Sequence, residues 1–462
     1  MKQGRIPICI LILCLGVSLL SSCVVPDNNM ALINDSQDTR LDKSYSSSYV
    51  AHDPIWIQSN EELIAQADLE EWDGNGTEDS PFVITGYSFN QETQPLRIWH
   101  TSLHWIFIDN IVDGVGSNVL CGTWIEDVSN GAIIDNEFFN RHSGIVVMDI
   151  ENFTIIGNSI HDNRGYGLEV HDMLRNGTIS GNTVSDCNLG GFQIISGITD
   201  SQIVDNTIID CNGNGISITS GIYNSEVKRN VVDNVGASGI LLSLASNSAI
   251  SSNVVTNTTD DGMAILGLGH CTLSDNYVED IGGSGFRLLY CSFSDISNNE
   301  IISCTDSGME IASGENSTVF WNNITSCFGF AIDFLVNAEF FEVRYNAFYS
   351  NCVDCQISDE GTSNNVSQNY YSDWTTPDAD SDGYVDEPYE FMGDADNEDL
   401  FPLAVAGIVP ELPASTTTTT NSTDSTTTIT QTDPDLTLQF ALVGAAVIIV
   451  VILGGIFARR HR

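Results

Sequence analysis

Three aspartates at alternate positions, Asp378, Asp380 and Asp382, run directly into Gly383. Carboxylate oxygens at that spacing wrap one calcium ion. The aspartates fall at positions 1, 3 and 5 of a twelve-residue loop, and the glycine makes the sharp turn at position 6. The Tyr384 carbonyl falls at position 7 and Asp386 at position 9. Position 12 is Tyr389, so a bidentate carboxylate comes from Glu387 or Glu390 or is missing. No helix pattern flanks the loop. The same residues also suit an acidic turn stapled by side-chain-to-backbone bonds.

A second set of charges recurs with a period. Glu169, Gln193, Ser217, Leu241, Ala264, Arg287, Glu310 and Asp333 hold one position of a repeated strand pattern. Asp260, Asp261 and Asp306 enter the same strands from the preceding turn. Asp260 and Asp306 are two repeats apart, roughly 9.6 Å for stacked strands. That is the wide edge of the range for an inverting acid–base pair. The candidates for catalysis are therefore Asp260, Asp261, Asp306, Glu310 and Asp333. Arg287, Glu310 and Asp333 are candidates for ligand binding, as are Arg164, Tyr166 and Glu169 beside His142, His171 and Asp172. Aromatic and planar polar groups together suit a sugar. A ladder of weak surface ion pairs is the competing reading. Copper transfer calls for Met and His clusters. The chain has seven Met, of which Met263 and Met309 fall on core positions, and His142, His161 and His171 share no ligand spacing.

The elements that position these side chains follow from one repeat. An asparagine returns every 22 to 26 residues, from Asn110 through Asn136, Asn158, Asn182, Asn206, Asn230, Asn253, Asn276, Asn299, Asn322 and Asn346 to Asn369. The residues three before and two after it are apolar, as in Ile203 and Ile208 around Asn206. From Asn158 to Asn299 a glycine follows nine residues later and opens a strand that alternates with period two, as in Gly215-Ile-Ser-Ile. One such unit cannot bury its own apolar face, so the units must stack. The expected fold is all-β: a single-stranded right-handed parallel β-helix, a solenoid of about 11–12 coils, with terminal caps. The stacked asparagines then form a buried hydrogen-bonded ladder.

Composition bounds the partners. The chain holds 62 acidic residues against 15 Lys+Arg, a formal charge of -47. Nucleic acid is excluded, because phosphate binding needs a basic surface. Residues 1–22 read as a signal peptide, ending in a lipobox-like Leu20-Ser21-Ser22-Cys23. Residues 23–54 read as a flexible segment, 55–97 as an N-terminal cap, 98–372 as the β-helix and 373–409 as an acidic C-terminal cap. A Thr/Ser-rich stalk over 410–435 leads to an uncharged stretch, 436–458, long enough for a transmembrane helix. Arg459 to Arg462 is a positive cytoplasmic tail. The expectation is a single-pass membrane protein with its solenoid outside the cell. Cys187 and Cys211 share a repeat position, as do Cys304 and Cys327, so each pair is either a disulfide between coils or two buried thiols.

Two segments carry a resemblance. The first is Trp72-Asp73-Gly74-Asn75-Gly76-Thr77. The second runs from Asn369-Tyr370-Tyr371-Ser372-Asp373-Trp374 through Asp378-x-Asp-x-Asp-Gly383 to Phe401-Pro402-Leu403. With the Asn/Gly coils they resemble the NosD-type right-handed β-helix proteins, abundant on archaeal surfaces. The resemblance covers about residues 55 to 405. It implies the fold and a broad group of carbohydrate-binding and sugar-hydrolase β-helices. A polysaccharide hydrolase or lyase, a structural or adhesive envelope protein, and a NosD-like metal-site accessory factor are the alternatives to glycan binding. Thr259-Asp260-Asp261-Gly262 also resembles the double-Asp motif of polygalacturonases, and Gly285-Phe286-Arg287-Leu288 their arginine strand; the Gly-His-Gly coil between them is absent.

Overall fold

The computed structural model describes residues 49–91, 93–114, 120–352, 355–393, 395 and 397–408. All belong to the first of two units, Met1–Pro410; the second, Glu411–Arg462, lies outside the described residues. The expected signal peptide, stalk, membrane helix and tail lie outside them as well. No helix among the described residues is long and apolar enough to cross a membrane.

Each coil contributes strands to three parallel sheets. In one coil Ser159–His161 joins a 14-stranded sheet I, Tyr166–Val170 and Leu174–Arg175 join sheet II, and Thr178–Ser180 joins a 13-stranded sheet III. Like residues stack on like: Ile155 on Ile179, then Ile203, Val227, Ile250 and Leu273. All six are buried. The three-residue strands of sheets I and III have one inward side chain each, so the core exists only as a column shared between coils.

The ladder asparagines occupy the tight turn between sheets III and I, and all twelve are buried. Asn206 is representative. Its Nδ2 donates to Asn230 Oδ1 at 3.0 Å and to Ile179 O at 2.9 Å, and its backbone N–H donates to the same Asn230 Oδ1 at 3.1 Å. Each amide thus satisfies backbone groups of the preceding coil and is tied to the amide of the next. The series ends on a residue outside the repeat: Asp399 accepts from Asn369 N at 2.9 Å, Gln368 N at 3.0 Å and Tyr371 Oη at 3.2 Å. A carboxylate suits the last rung, because it accepts and has no amide hydrogens left to place.

Both ends are capped. Helix α1, Asn60–Glu70, starts at Ser59, whose side chain accepts from Glu62 N, and Glu61 and Glu62 complement the helix dipole. It buries Leu63 and Ala67 and packs on the first sheet II strands, covering an edge that would otherwise pair. The cap is itself a coil with this helix inserted. Ile55–Ile57 pairs with Leu96–Ile98, and Phe82–Thr85 with Trp105–Ile108. Regular structure also begins before residue 55: Val50–Ala51 pairs with Tyr87–Ser88, inside the segment expected to be flexible. At the other end Tyr389–Glu390 and Glu398–Asp399 form an antiparallel pair, and Tyr389 stacks on Tyr371 at 3.8 Å. The nine described cysteines are free thiols.

Candidate functional site

In sheet II the strand Phe286–Leu288 turns Phe286 and Leu288 into the core, so alternation sends Arg287 outward. Register then stacks one outward column: Glu169 on Gln193, Ser217, Leu241, Ala264, Arg287, Glu310, Asp333 and Ser358. The spacing in the sequence therefore translates directly into neighbours.

Arg287 is held by three carboxylates. Its Nε meets Asp261 Oδ2 at 2.8 Å, Nη1 meets Glu310 Oε1 at 3.2 Å, and Nη2 lies 3.9 Å from Asp306. Burial opposes the guanidinium charge, yet these acids outweigh it and raise its pKa. Asp261 differs from the sequence expectation. It does not stand at an open strand edge but is buried, and its other oxygen accepts Ser284 N–H at 3.0 Å. Both oxygens are engaged, which makes Asp261 a positioning residue for Arg287. Burial raises the Asp261 carboxyl in spite of the arginine. Arg287 consequently neutralises a buried acid, so its removal disturbs more than the surface. Asp306 is exposed. Asp260 is exposed on the neighbouring turn, its carbonyl bonded through Gly283 to the Asp306 coil, and it does not touch Arg287 in the ion-pair cluster.

Glu310 and Asp333 are half-buried neighbours, and burial lifts both carboxyls above their ordinary range; Arg287 opposes this at Glu310 and Ser358 at Asp333. A carboxyl of raised pKa keeps its proton to higher pH than an ordinary one. That is the arrangement's chemical capacity: hydrogen bonding to hydroxyls, and proton donation.

The second candidate patch sits on the same lane, toward the N-terminal end. Glu169 binds His171 Nε2 at 2.9 Å and accepts from Ser143 Oγ. Burial pushes the Glu169 carboxyl up, but these bonds bring it below its ordinary value, and Glu169 in turn raises His171. Tyr166 is half-buried in the same strand; Arg164, His142 and Asp172 are exposed around it.

The sequence reading missed the tryptophans of this patch. Trp124 stacks with His171 at 6.5 Å between centroids and donates through Nε1 to Glu126 at 3.0 Å. Trp56, Arg97 and Trp124 stack in register on the first coils. The Arg97 guanidinium lies 3.9 Å over Trp99 and 5.6 Å from Trp56. Among the described residues Trp99 Nε1 and Arg97 Nε are enclosed and bond to nothing. The signal was present: Leu96-Arg-Ile-Trp and Thr123-Trp-Ile-Glu alternate, which sends arginine and tryptophan outward.

In the acidic loop Asp378, Asp380 and Asp382 each offer an oxygen within 4.8 Å of the others. Asp378 Oδ1 is enclosed and accepts no hydrogen bond. Asp386 is used otherwise than in the expected ligand set: its Oδ2 accepts Ala379 N–H at 2.8 Å and staples the loop. The Tyr384 ring is buried and its hydroxyl accepts from Gln368 at 2.9 Å, tying the loop to the last coil. Three convergent hard oxygens fit a divalent cation such as calcium.

No curated protein matches the chain. Among solved structures it is similar to the A-module of the mannuronan C-5 epimerase AlgE4 of Azotobacter vinelandii. The TM-score is 0.40 at 15% identity, over 66% of this chain and 93% of that one. It is also similar to the Dettilon tailspike protein, with TM-score 0.39 and 14% identity over 67% and 61%. A third is the catalytic unit of a GH87 α-1,3-glucanase from Streptomyces thermodiastaticus strain HF3-3, with TM-score 0.33 and 12% identity over 79% and 73%. The family model for the right-handed β-helix region matches residues 96–234 and 220–370, more than half of the chain. With the stacked parallel coils, this places the protein: it belongs to the right-handed β-helix family.

Proposed function

We propose that the protein binds a carbohydrate polymer along the outward lane of sheet II. One observation carries the reading. A single unbroken register joins Glu169 to Arg287, Glu310 and Asp333, so a patch rich in Trp and His and a patch of carboxylates and arginine lie on one face. Between them stand Gln193, Ser217, Leu241 and Ala264, a stretch of about five strand spacings, roughly 24 Å. Aromatic planes take the apolar face of a sugar, and planar polar groups take its hydroxyls. In this reading the solenoid is tethered outside the cell by segment 436–458, and a calcium ion at Asp378, Asp380 and Asp382 braces its C-terminal cap. The NosD-type end segments agree with such a surface protein.

A second reading, polysaccharide hydrolysis or elimination, is favoured by the raised carboxyls of Glu310 and Asp333. One would donate a proton while another activates water or the sugar.

The test uses the full-length protein on a glycan array, followed by calorimetry with the strongest ligand. Trp124→Ala should weaken binding about tenfold or more, equivalent to about 1.4 kcal/mol. Release of reducing ends, abolished by Glu310→Gln, selects the enzyme reading. Silence across neutral, acidic and amino-sugar glycans overturns both.

A further inference from the structure

Sheet III carries a feature that the sheet II lane does not use. In the turn after each of its strands, the residue before the ladder asparagine has a left-handed backbone. Gly, Asp or Asn hold that position at Asp109, Asp135, Gly157, Gly181, Asp205, Asp275 and Asn298; Arg229, Ser252 and Gln368 hold it in other coils. On two consecutive coils it is occupied instead by Trp321 (φ 58) and Tyr345 (φ 61). A bulky aromatic is a poor choice there, because its Cβ crowds the following carbonyl. The core does not explain it: Trp321 is 43% exposed. Exposed left-handed aromatics also stand at Tyr290, Phe293 and Phe340, and this pair differs from them in walling a hollow.

The two rings lie 5.1 Å apart, tilted by 32°. With Phe320, Asp295, Glu342 and Arg344 they wall a hollow of ≈ 330 Å³. Its polar rim is ordered. Thr318 Oγ1 donates to Asp295 Oδ1 at 2.6 Å, and Arg344 Nη2 meets Glu342 Oε1 at 2.6 Å. Each carboxylate keeps one oxygen outside these bonds, and Arg344 Nε is enclosed and donates to nothing. Two acids against one arginine, on a chain of formal charge -47, disfavour an anionic ligand. Aromatic planes edged by both acceptors and a donor match a ring with one apolar face and a rim of hydroxyls.

We propose that the Trp321–Tyr345 hollow on sheet III is a saccharide site separate from the sheet II lane, taking one neutral pyranose unit against the aromatic pair with its hydroxyls on Asp295, Glu342 and Arg344. It shares only the ligand class of the lane reading and stands on other residues of another sheet. Two such faces let one molecule bridge two glycan strands.

The test titrates the full-length protein with maltohexaose, cellohexaose and linear mannohexaose, using choline as a cationic control. The variants are Trp321→Asn, Tyr345→Asn and Trp124→Ala. At least one hexasaccharide should bind, and Trp321→Asn should weaken one binding event tenfold or more. Its melting temperature should hold or rise, because asparagine suits the left-handed turn as Asn298 does. Trp124→Ala should leave this event unchanged. If Trp124→Ala has no effect on any glycan while Trp321→Asn loses binding, the lane reading fails and this one stands. The proposal is overturned if no hexasaccharide binds, if Trp321→Asn binds like the wild type, if choline alone binds there, or if Trp321→Asn melts lower at unchanged affinity.

Discussion

At residue scale, Glu169 and His171 show burial and pairing pulling against each other. Burial acts to raise the Glu169 carboxyl, but bonds from His171 and Ser143 win and lower it from 4.5. His171 is raised from 6.5, first by its bond to Glu169. A raised histidine stabilises the fold fully below its unfolded value and loses that contribution as pH rises through its folded value. A lowered carboxylate stabilises above its unfolded value and loses that contribution as pH falls through its folded value. The pair therefore contributes most between about pH 4.5 and 6.5. His171→Gln should cost less than about 1 kcal/mol there, since His171 is a third exposed and partly screened. Urea unfolding of both proteins across pH reads this directly; a difference that grows toward alkaline pH contradicts it. The same competition operates at Arg287. There burial wins at Asp261 and Glu310, and the arginine keeps its charge because three carboxylates surround it.

At the scale of elements, the asparagine ladder is the part most exposed to single substitutions. Asn206→Leu leaves Asn182 N–H, which donates to Asn206 Oδ1, and the Ile179 carbonyl without their partners. The expected cost is about 1–3 kcal/mol. Asp399→Leu leaves Gln368 N, Asn369 N and Phe401 N unpaired, with a cost of the same order. The two should differ in reach. Asn206 is central, so its loss lowers the global midpoint. Asp399 closes one end, so its loss should first speed hydrogen exchange at Gln368 and Asn369. An unchanged midpoint for Asn206→Leu, or unchanged exchange for Asp399→Leu, would show that the ladder does not hold the coils together. The repeat made Asn206 legible. Asp399 was not, because it reaches Asn369 from an antiparallel hairpin outside the period.

At the scale of the whole molecule, net charge governs stability against the medium. A chain at -47 repels itself, and any cation held by the folded state relieves part of that. The acidic loop is bonded to the last coil by Gln368 Nε2 to the Tyr384 hydroxyl at 2.9 Å, and to the closing segment by Val385 N to Pro402 O at 2.8 Å. Calcium binding there should therefore stabilise the terminal coil as well as the loop. Millimolar calcium should raise the melting temperature, and Asp380→Ala with Asp382→Ala should abolish the rise. A wild-type protein that melts at one temperature with and without calcium, and gives no heat of binding, sinks the assignment.

The sequence by itself determined everything that repetition transmits. A period of about 23 residues in stacked strands amounts to translation along one axis, so Arg287, Glu310 and Asp333 had to become neighbours. The inward columns and the asparagine ladder follow from the same translation. Tertiary structure alone decided what happens where the chain leaves the period. Whether Asp261 faces solvent depended on how its turn meets the next coil, and there Ser284 and Arg287 draw it inward. Trp56 reaches Trp124 through Arg97 only because helix α1 lengthens the first coil without breaking its register. Local pattern carries the direction of a side chain. The path of an irregular segment, and hence what it brings within bonding distance, is set by packing against coils far away in sequence.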